Sequence, residues 1–446
     1  MKNREKLISA TLLGLLLMTL ALPLTTATVQ AEQEQNQVQA SLRVEGNWAY
    51  IQNDVITIAF PAGGKKPMFL WWYTKSPDNI NVVKYKGLIE YVSYDQPYFL
   101  LKAEAEAWRI RQRIQAHFYE PRRHTIQDML RLKAAWQLLS YIGNLTSLHA
   151  PYLPFSGCKW ELSTPMNVTE GDVKYLSFNF TLVDVPGNRP NLQFAEGNVI
   201  IRCRFYYTPA TEDVEGQYSY KVEAGEFKMD LIVKHWEWNI DNEYLKNFLH
   251  QLEEYLGITI PEGKAGLALW VNMASINMTQ LPIIENDAQD LNDSGLETAT
   301  MTNNMYVEGE RVQTAQNMTA QDCQPLPNRI RERWRFRFEK GNATLAGFFK
   351  FVPKALLRNT TDNTVVRTVD VTASYVAAGG HMRVYICYPY FGNLTLEHDP
   401  SLGLETLPTL VTYQLIIALL GIATIIAVGI LVIRWKKGPV NMLKPN

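Results

Sequence analysis

The sequence predicts a mainly β fold, with two antiparallel β-sandwich-like units, one or two packed helices and a single C-terminal transmembrane helix. Three observations predict it. Short runs rich in β-branched and aromatic residues recur along most of the chain, turn residues separate them, and one segment of 24 residues near the C-terminus contains no charge.

The N-terminus has the pattern of an export signal. Basic residues within the first six positions precede an apolar run, which ends at a small-x-small site, so we predict a signal peptide over residues 1–31. Cleavage after Ala27 and an uncleaved N-terminal anchor are the alternatives. Residues 32–42 are rich in Gln and Glu without periodicity, which predicts a disordered lead-in.

Alternating apolar and polar residues predict the strands. Asp54–Phe60 alternates and then stops at a Pro-Ala-Gly-Gly turn, and Pro186-Gly187-Asn188 is another turn between two such runs. The same reasoning predicts further strands at Val82–Tyr94, Trp108–Phe118, Tyr175–Val183, Val199–Tyr207, Tyr218–Glu223, Glu226–Lys234, Gly266–Met273, Arg333–Phe338, Leu345–Val352, Thr364–Tyr375 and His381–Tyr388.

Leucines at helical spacing predict one clear helix over residues 241–257, while Thr125–Gly143 has the features of both a helix and a strand. Pro and Gly just after the helix indicate a break near residue 260. We therefore predict a first β-rich unit over 43–260 and a second over 261–409, which includes an irregular segment over 286–324.

The uncharged run Leu410–Ile433 predicts a transmembrane helix, since about 20 apolar residues cross a hydrocarbon core. Arg434, Lys436 and Lys437 follow it, and basic residues favour the cytoplasmic side. The expected localisation is the cell membrane, with a single pass, the folded part outside and a cytoplasmic tail over 434–446. A buried globular helix and an anchor signal that is later removed are the alternatives.

Nine Asn-x-Ser/Thr sequons lie between the signal and the anchor, against about three expected from the composition. This excess predicts a glycosylated exterior. The acceptor residues are Asn144, Asn167, Asn179, Asn277, Asn292, Asn317, Asn342, Asn359 and Asn393.

The charge and the cysteines restrict the class of protein. Lys and Arg total 43 and Asp and Glu total 44, so the near-zero net charge argues against a nucleic acid partner. All four cysteines lie in the predicted exterior, where thiols tend to oxidise. Three pairings are open, and two domains in series favour Cys158–Cys203 with Cys323–Cys387.

Two aromatic runs are candidate binding residues. Trp71, Trp72 and Tyr73 could form a shelf that stacks on sugars or meets a membrane surface, and Trp236 and Trp238 could line a cleft. Packing within the core is the competing interpretation of both runs, because large aromatic side chains are mostly buried.

Two charged segments are further candidates. Asp287, Asp290 and Asp293 form an acidic loop that could hold calcium weakly, but Met301 stands where an EF-hand would have Glu. No other cofactor is predicted. The basic segment Lys102–Lys133 could meet an anionic partner or could be a solvated strand face.

No nucleophile motif, phosphate loop or reactive-cysteine signature is present in the sequence. The leading hypothesis is therefore a non-catalytic surface protein of structural, adhesion or ligand-binding type, whose partners are envelope proteins, glycans or a second copy. An extracellular glycan hydrolase stays open because a carboxylate pair leaves no local sequence signature. An accessory subunit of a membrane complex is a further alternative.

Three runs carry a resemblance: Gly87–Val92, Phe227–Ile232 and His398–Gly403. With them, the chain resembles a loose group of archaeal single-pass, β-rich cell-surface proteins. The resemblance implies a signal peptide, a long β-rich exterior and one terminal span, and it implies no particular activity.

Overall fold

The structure is a computed structural model. It describes residues 40–62, 65–91, 152–187, 190–214, 218–238, 250, 265–288, 304–312, 324–325, 333–339, 345–378 and 381–406. The predicted features that fall outside these residues are the signal peptide 1–31, the basic segment Lys102–Lys133, the strand Trp108–Phe118, the segment Thr125–Gly143, the helix 241–257 apart from His250, the span Leu410–Ile433 and the tail 434–446.

Among the described residues, ten strands form the first sheet, in the order β1-β2-β3-β4-β5-β14-β23-β22-β17, with β6 pairing on β5. Each pairing is antiparallel. The strands are β1 (Ser41–Glu45), β2 (Trp48–Gln52), β3 (Ile56–Pro61), β4 (Met68–Tyr73), β5 (Ser76–Tyr91), β6 (Tyr152–Pro154), β14 (Gly266–Ile276), β17 (Gln324–Pro325), β22 (Thr372–Ala378) and β23 (His381–Pro389).

In the described part of the chain, thirteen strands form the second sheet, whose main path is β16-β15-β18-β19-β25-β13-β10-β9-β7. These strands are β7 (Lys159–Leu162), β8 (Met166–Glu170), β9 (Val173–Asp184), β10 (Val199–Tyr206), β13 (Phe227–Val233), β15 (Asn304–Val307), β16 (Glu310–Val312), β18 (Trp334–Glu339), β19 (Leu345–Phe351), β20 (Lys354–Arg358), β21 (Val365–Asp370), β24 (Thr395–His398) and β25 (Ser401–Thr406). A separate hairpin pairs β11 (Ala210–Val214) with β12 (Tyr218–Val222).

The helical elements whose bounds are described are short, and His250, within the predicted helix 241–257, is also helical. The α-helix α1 spans Leu281–Ala288, and 3-10 turns occupy Pro190–Ala195 and Met278–Gln280. Ile284 of α1 is fully buried and belongs to the core cluster beside the first sheet. No helix among the described residues has the length and apolar character that a membrane crossing requires.

The two large sheets face each other across an aromatic core. Phe60 of the first sheet stacks on Phe178 of the second with ring centroids 4.7 Å apart. Phe69, also from the first sheet, lies 5.8 Å from Phe180 and 5.5 Å from Phe227. This packing follows from alternation, because every second residue of these strands points to the same face.

The structure differs from the predicted division into two units near residue 260. β14 begins at Gly266, and it pairs with β5 on one side and β23 on the other, so strands from both parts of the chain share the first sheet. The second sheet likewise joins β9, β10 and β13 to β19 and β25. β14 is buried along its whole length, so its backbone N–H and C=O groups need partners on both edges. Pro and Gly near residue 260 thus do not mark a boundary between sheets.

Other boundaries also differ from the sequence predictions. β1 begins at Ser41, inside the predicted lead-in 32–42. Within the predicted irregular segment 286–324, β15 and β16 form a hairpin whose turn residues Glu308 and Gly309 both have positive φ. Two such residues match the twist of a tight hairpin. The Glu-Gly pair is not among the usual sequence signals for this turn, and both strands are short, so the local sequence does not predict this hairpin.

The predicted disulfide Cys158–Cys203 is wrong. Both residues carry buried thiols, as does Cys387, while Cys323 lies outside the described residues. Cys203 faces inward from β10 and is 0 % exposed. The Cys158 thiol donates a hydrogen bond to the carbonyl of Pro154 at 3.0 Å. Burial raises the pKa of Cys203 well above its usual value, which keeps this group a thiol.

Candidate functional site

The structure places two of the predicted binding aromatics in the core. Trp71 is 0 % exposed, and its Nε1 donates to the carbonyl of Gly403 at 2.9 Å. Trp236 is 1 % exposed, and its Nε1 donates to Glu90 Oε2 at 3.3 Å. These two side chains are therefore packing residues rather than a ligand shelf.

The other predicted aromatics are half-buried, and they lie among different neighbours. Trp72 packs against the core cluster beside the first sheet, and Tyr73 ends β4. Trp238 donates from Nε1 to the carbonyl of Gly392 at 3.1 Å, and its ring lies 4.6 Å from that of the exposed Tyr390. The structure therefore does not assemble the five predicted residues into one surface.

Two of the three predicted calcium ligands lie outside the residues that the structure describes. Asp287 lies near the end of α1, and Asp290 and Asp293 fall outside the described residues. Within the described ranges, no group of three or more His, Cys, Asp or Glu side chains is placed to hold a metal ion.

Five sequon asparagines are described, and all are exposed or half-buried: Asn167, Asn179, Asn277, Asn359 and Asn393. In one of them, Asn359 Oδ1 accepts a hydrogen bond from the backbone N–H of Thr361 at 2.8 Å, which is an Asx turn. The remaining sequons, at Asn144, Asn292, Asn317 and Asn342, lie outside the described residues.

A charged pocket lies on the face of β10 and β13 that is turned away from the aromatic core. The inward positions of β13 are apolar, whereas Lys228 and Asp230 alternate with them and point the other way. We call it the Lys228 pocket, and its volume is about 240 Å³. Its lining residues are Arg202, Arg204, Glu212, Asp213, Tyr218, Tyr220, Lys228, Leu356, Arg358, Glu397 and Asp399.

Strand register brings like charges together on the floor of the Lys228 pocket. Arg204 lies directly opposite Lys228 across the β10–β13 pair, and Arg202 lies opposite Asp230. Like charges directly opposite each other destabilise a sheet. The cluster of carboxylates around them is therefore needed for the fold to tolerate this pair.

Asp230 is the central anion. It is 0 % exposed, and its Oδ2 accepts hydrogen bonds from Arg202 Nε at 3.0 Å and from Arg204 Nη2 at 2.7 Å. Burial opposes its ionisation, but Arg204, Lys228 and Arg202 outweigh burial and lower the pKa of Asp230 well below its usual value. Asp230 is therefore ionised, and it holds the two guanidinium groups in place.

Lys228 is the central cation, with a side chain that is 1 % exposed. Its Nζ donates to Tyr220 Oη at 2.5 Å and to Asp399 Oδ2 at 3.2 Å, and Glu212 Oε2 lies 3.6 Å away. Burial, with Arg204 nearby, lowers the pKa of Lys228 to about 8. Acceptors from β11, from β12 and from the connection between β24 and β25 thus converge on one ammonium group.

Two carboxylates beside Lys228 differ in their protonation chemistry. Burial, with Glu212 adding to it, raises the pKa of Asp399 to about 8. For Glu212, burial is outweighed by Lys228 and Arg204, which lower its pKa. Asp399 Oδ1 is buried and has no hydrogen-bond partner among the described residues. An ionised carboxylate and a readily protonated one therefore both lie within 3.6 Å of the same ammonium group.

The outer wall of the Lys228 pocket is held by Glu397. Arg202 and Arg358 both donate to this carboxylate, Arg358 through Nε at 2.6 Å. Since Glu397 lies on β24, Arg202 on β10 and Arg358 on β20, the contacts join three strands. The wall is thus fixed by charge-assisted bonds rather than by apolar packing.

The β11–β12 hairpin provides an aromatic wall. The rings of Tyr218 and Tyr220 are nearly parallel, with centroids 6.2 Å apart and an interplanar angle of 23°. The guanidinium of Arg333 lies 4.4 Å from the centroid of the Tyr220 ring. Tyr220 is buried, whereas Tyr218 is half-buried at the pocket.

His398 supports the pocket from below. It is 1 % exposed, its Nδ1 is 2.9 Å from Tyr388 Oη, and its Nε2 is 2.9 Å from the carbonyl of Val352. A carbonyl only accepts, so Nε2 carries the proton and Nδ1 accepts from the tyrosine. Burial lowers the pKa of His398 to about 4, so the ring is neutral and fixes the backbone just before Asp399.

None of the residues that line the Lys228 pocket is among the binding residues predicted from the sequence. Two of the three runs that carry the resemblance, Phe227–Ile232 and His398–Gly403, nevertheless meet here, since β13 pairs with β24 and β25. The available signal was the alternation of Arg202 and Arg204 with apolar residues in a strand whose other face is buried. Such alternation also describes an ordinary wet face, so it does not identify a pocket by itself.

Comparison with known proteins gives no further indication: no protein-family model and no curated protein matches this chain.

Proposed function

We propose that this protein is a membrane-anchored, glycosylated, non-catalytic surface protein of ligand-binding type, which holds a small polar ligand in the Lys228 pocket. The observation that carries the proposal is the convergence of Asp399, Glu212 and Tyr220 on the buried Nζ of Lys228 beside an open pocket. Perturbed charged groups that line a cavity are typical of functional sites.

Energetics support a binding role over a purely structural one. Replacing a buried ion cluster by apolar residues of similar volume often leaves the stability of a protein unchanged or increases it. Stability alone therefore does not explain why the cluster is present. A structural network would also satisfy its own acceptors, whereas Asp399 Oδ1 has no partner among the described residues. A ligand hydroxyl or amide could supply the missing bond.

The proposed location follows from the export signal, the sequons and the uncharged run Leu410–Ile433. β25 ends at Thr406, so only residues 407–409 separate it from this run. Four residue steps reach about 14 Å at most. The folded part would then lie close to the bilayer, an arrangement that also suits contact with envelope proteins, glycans, a second copy or another membrane subunit.

Ligand-induced stabilisation tests the proposal. The full chain in phosphatidylcholine nanodiscs is heated with neutral sugars, uronic acids, sugar phosphates, amino acids and inorganic phosphate, each as a separate sample. We expect at least one compound to raise Tm in the wild type and to have much less effect in Asp399→Asn. The matched control is Asp370→Asn, whose side chain is 77 % exposed in a pair with Lys354.

The control variant is expected to respond like the wild type. The proposal fails if no compound raises Tm in the wild type, or if the full shift persists in Asp399→Asn, because a ligand bound elsewhere is not affected by this carboxylate.

A second candidate, an extracellular glycan hydrolase, is favoured by one observation. Glu212 Oε2 and Asp399 Oδ2 both lie within 3.6 Å of Lys228 Nζ, so they are within about 7 Å of each other, and their pKa values are displaced in opposite directions. However, both carboxylates contact the same ammonium group, which a glycosidic bond would have to displace in order to reach them. Release of a chromophore from nitrophenyl glycosides, lost in Glu212→Gln, would favour hydrolysis over binding.

A further inference from the structure

We propose that the ligand of the Lys228 pocket is a neutral carbohydrate, one sugar ring bound through hydroxyl groups to Glu212 and Asp399 and through its C–H face to Tyr218. This inference rests on the proposed function and specifies its ligand class. Three features of the pocket support it: the balance of charge, the free acceptor atoms and the aromatic wall.

The charge balance disfavours an anionic ligand. Four cations and four carboxylic acids line the pocket, and the cations already have anionic partners. Arg202 binds Asp230 and Glu397, and Arg204 binds Asp230 and Glu212. A phosphate or a carboxylate would have to displace one of these acids and would then be repelled by the others.

The same balance disfavours a cationic ligand. Glu212 and Asp399 would attract an amine, but Lys228 lies within 3.6 Å of both of them, and Arg204 is bonded to Glu212. A ligand ammonium bound to these carboxylates would therefore sit beside two buried cations. A ligand without net charge avoids both penalties.

Two acceptor atoms are available to such a ligand. Glu212 Oε1 accepts from Arg204 and Tyr206, whereas Oε2 has Lys228 at 3.6 Å, beyond hydrogen-bond distance. Asp399 Oδ1 has no partner in the described part of the chain. Neighbouring hydroxyls on a sugar ring can reach two such atoms, and a hydroxyl both donates and accepts, so it matches Asp399 in either protonation state.

Size and shape agree with a single ring. The volume of about 240 Å³ is below the ~300–1,000 Å³ of pockets for drug-sized ligands. Tyr218, Tyr220 and Leu356 provide the apolar part of the lining, and Tyr218 is the more exposed of the two tyrosines. The C–H face of a sugar can pack on the ring of Tyr218 while its hydroxyls face the carboxylates.

Calorimetry of matched ligands tests the inference. Glucose, galactose, mannose and N-acetylglucosamine are titrated into the full chain in phosphatidylcholine nanodiscs, which avoid detergents with sugar headgroups. Glucuronate, glucosamine and glucose 6-phosphate are the charged counterparts. We expect a neutral sugar to bind at least about tenfold more tightly than its charged counterparts, and Glu212→Gln and Asp399→Asn to weaken it about tenfold or more.

The variants distinguish the possible outcomes. Tyr218→Ala should also weaken the neutral sugar, Tyr218→Phe should weaken it less because the ring is kept, and Asp370→Asn should leave it unchanged. Tighter binding of a charged sugar, an amino acid or phosphate that depends on Asp399 would overturn the carbohydrate inference while the proposed function stands. If no compound of the full panel binds, the proposed function itself fails.

Discussion

The most informative single substitution for the charged cluster is Asp230→Asn. The substitution keeps the side-chain shape but replaces the carboxylate by a neutral amide, in which an NH2 donor group takes the place of one oxygen. Asp230 accepts three hydrogen bonds, two from Arg202 and one from Arg204. In the variant, the amide oxygen can still accept from these guanidinium groups, but they lose their shared counterion. Lys228 also loses a carboxylate oxygen 3.7 Å away.

The expected loss can be bounded from these contacts. A hydrogen bond to a charged group contributes about 1.5–3 kcal/mol, but Arg202 keeps Glu397 and Arg204 keeps Glu212, so the three bonds are not lost as independent terms. Breaking a buried ion pair by removing one partner costs about 3–5 kcal/mol. We therefore expect Asp230→Asn to lower the free energy of unfolding by about 3–5 kcal/mol.

Urea unfolding followed by tryptophan fluorescence measures this change, with wild type, Asp230→Asn and Asp370→Asn compared at pH 7. The control removes the charge from an exposed pair with Lys354, and such pairs contribute at most about 1 kcal/mol. If Asp230→Asn costs no more than the control, the buried cluster is not held by Asp230, and the account of the pocket floor is incorrect.

Three further predictions concern titration, packing and the thiols. The raised pKa of Asp399 means that its contribution to stability is present below pH ~4 and is lost as the pH rises toward about 8. The free energy of unfolding of Asp399→Asn, measured relative to the wild type in urea, should therefore be at least ~1.4 kcal/mol higher at pH 8 than at pH 4.5. The same difference between the two proteins at both pH values would contradict this. Gly266→Ala should cost about 1–3 kcal/mol, because its Cβ would lie 2.1 Å from the carbonyl oxygen of Tyr388, and unchanged stability would refute the β14 register. Alkylation of unfolded, unreduced protein should label Cys158 and Cys203, and a peptide that joins them would restore the disulfide.

Regular alternation of apolar and polar residues is the feature from which the sequence predicts strands correctly. Val199–Tyr206 and Phe227–Val233 were recognised within one residue at each end, because their alternation is regular and turn residues lie close by. The burial of Trp71 was the favoured alternative for the same reason, since large aromatic side chains in strands are mostly packed.

The features that the sequence does not predict depend on which strands pair, and these strands are distant in the sequence. β14 lies between β5 and β23, and nothing within Gly266–Ile276 specifies those two neighbours. The pocket has the same origin, because Glu212, Lys228 and Asp399 meet only after three separate segments have packed together. The disulfide prediction was wrong because it depended on the assumed serial domains, which the shared sheets replace.

A structure of the full chain determined with the tightest-binding compound of the panel would locate the bound ligand directly. We expect the ligand in the Lys228 pocket, with oxygen atoms about 2.5–3.2 Å from Glu212 Oε2 and Asp399 Oδ1. A ligand bound instead beside Trp238 and Tyr390, with the Lys228 pocket filled only by its own side chains, would contradict the proposed binding site.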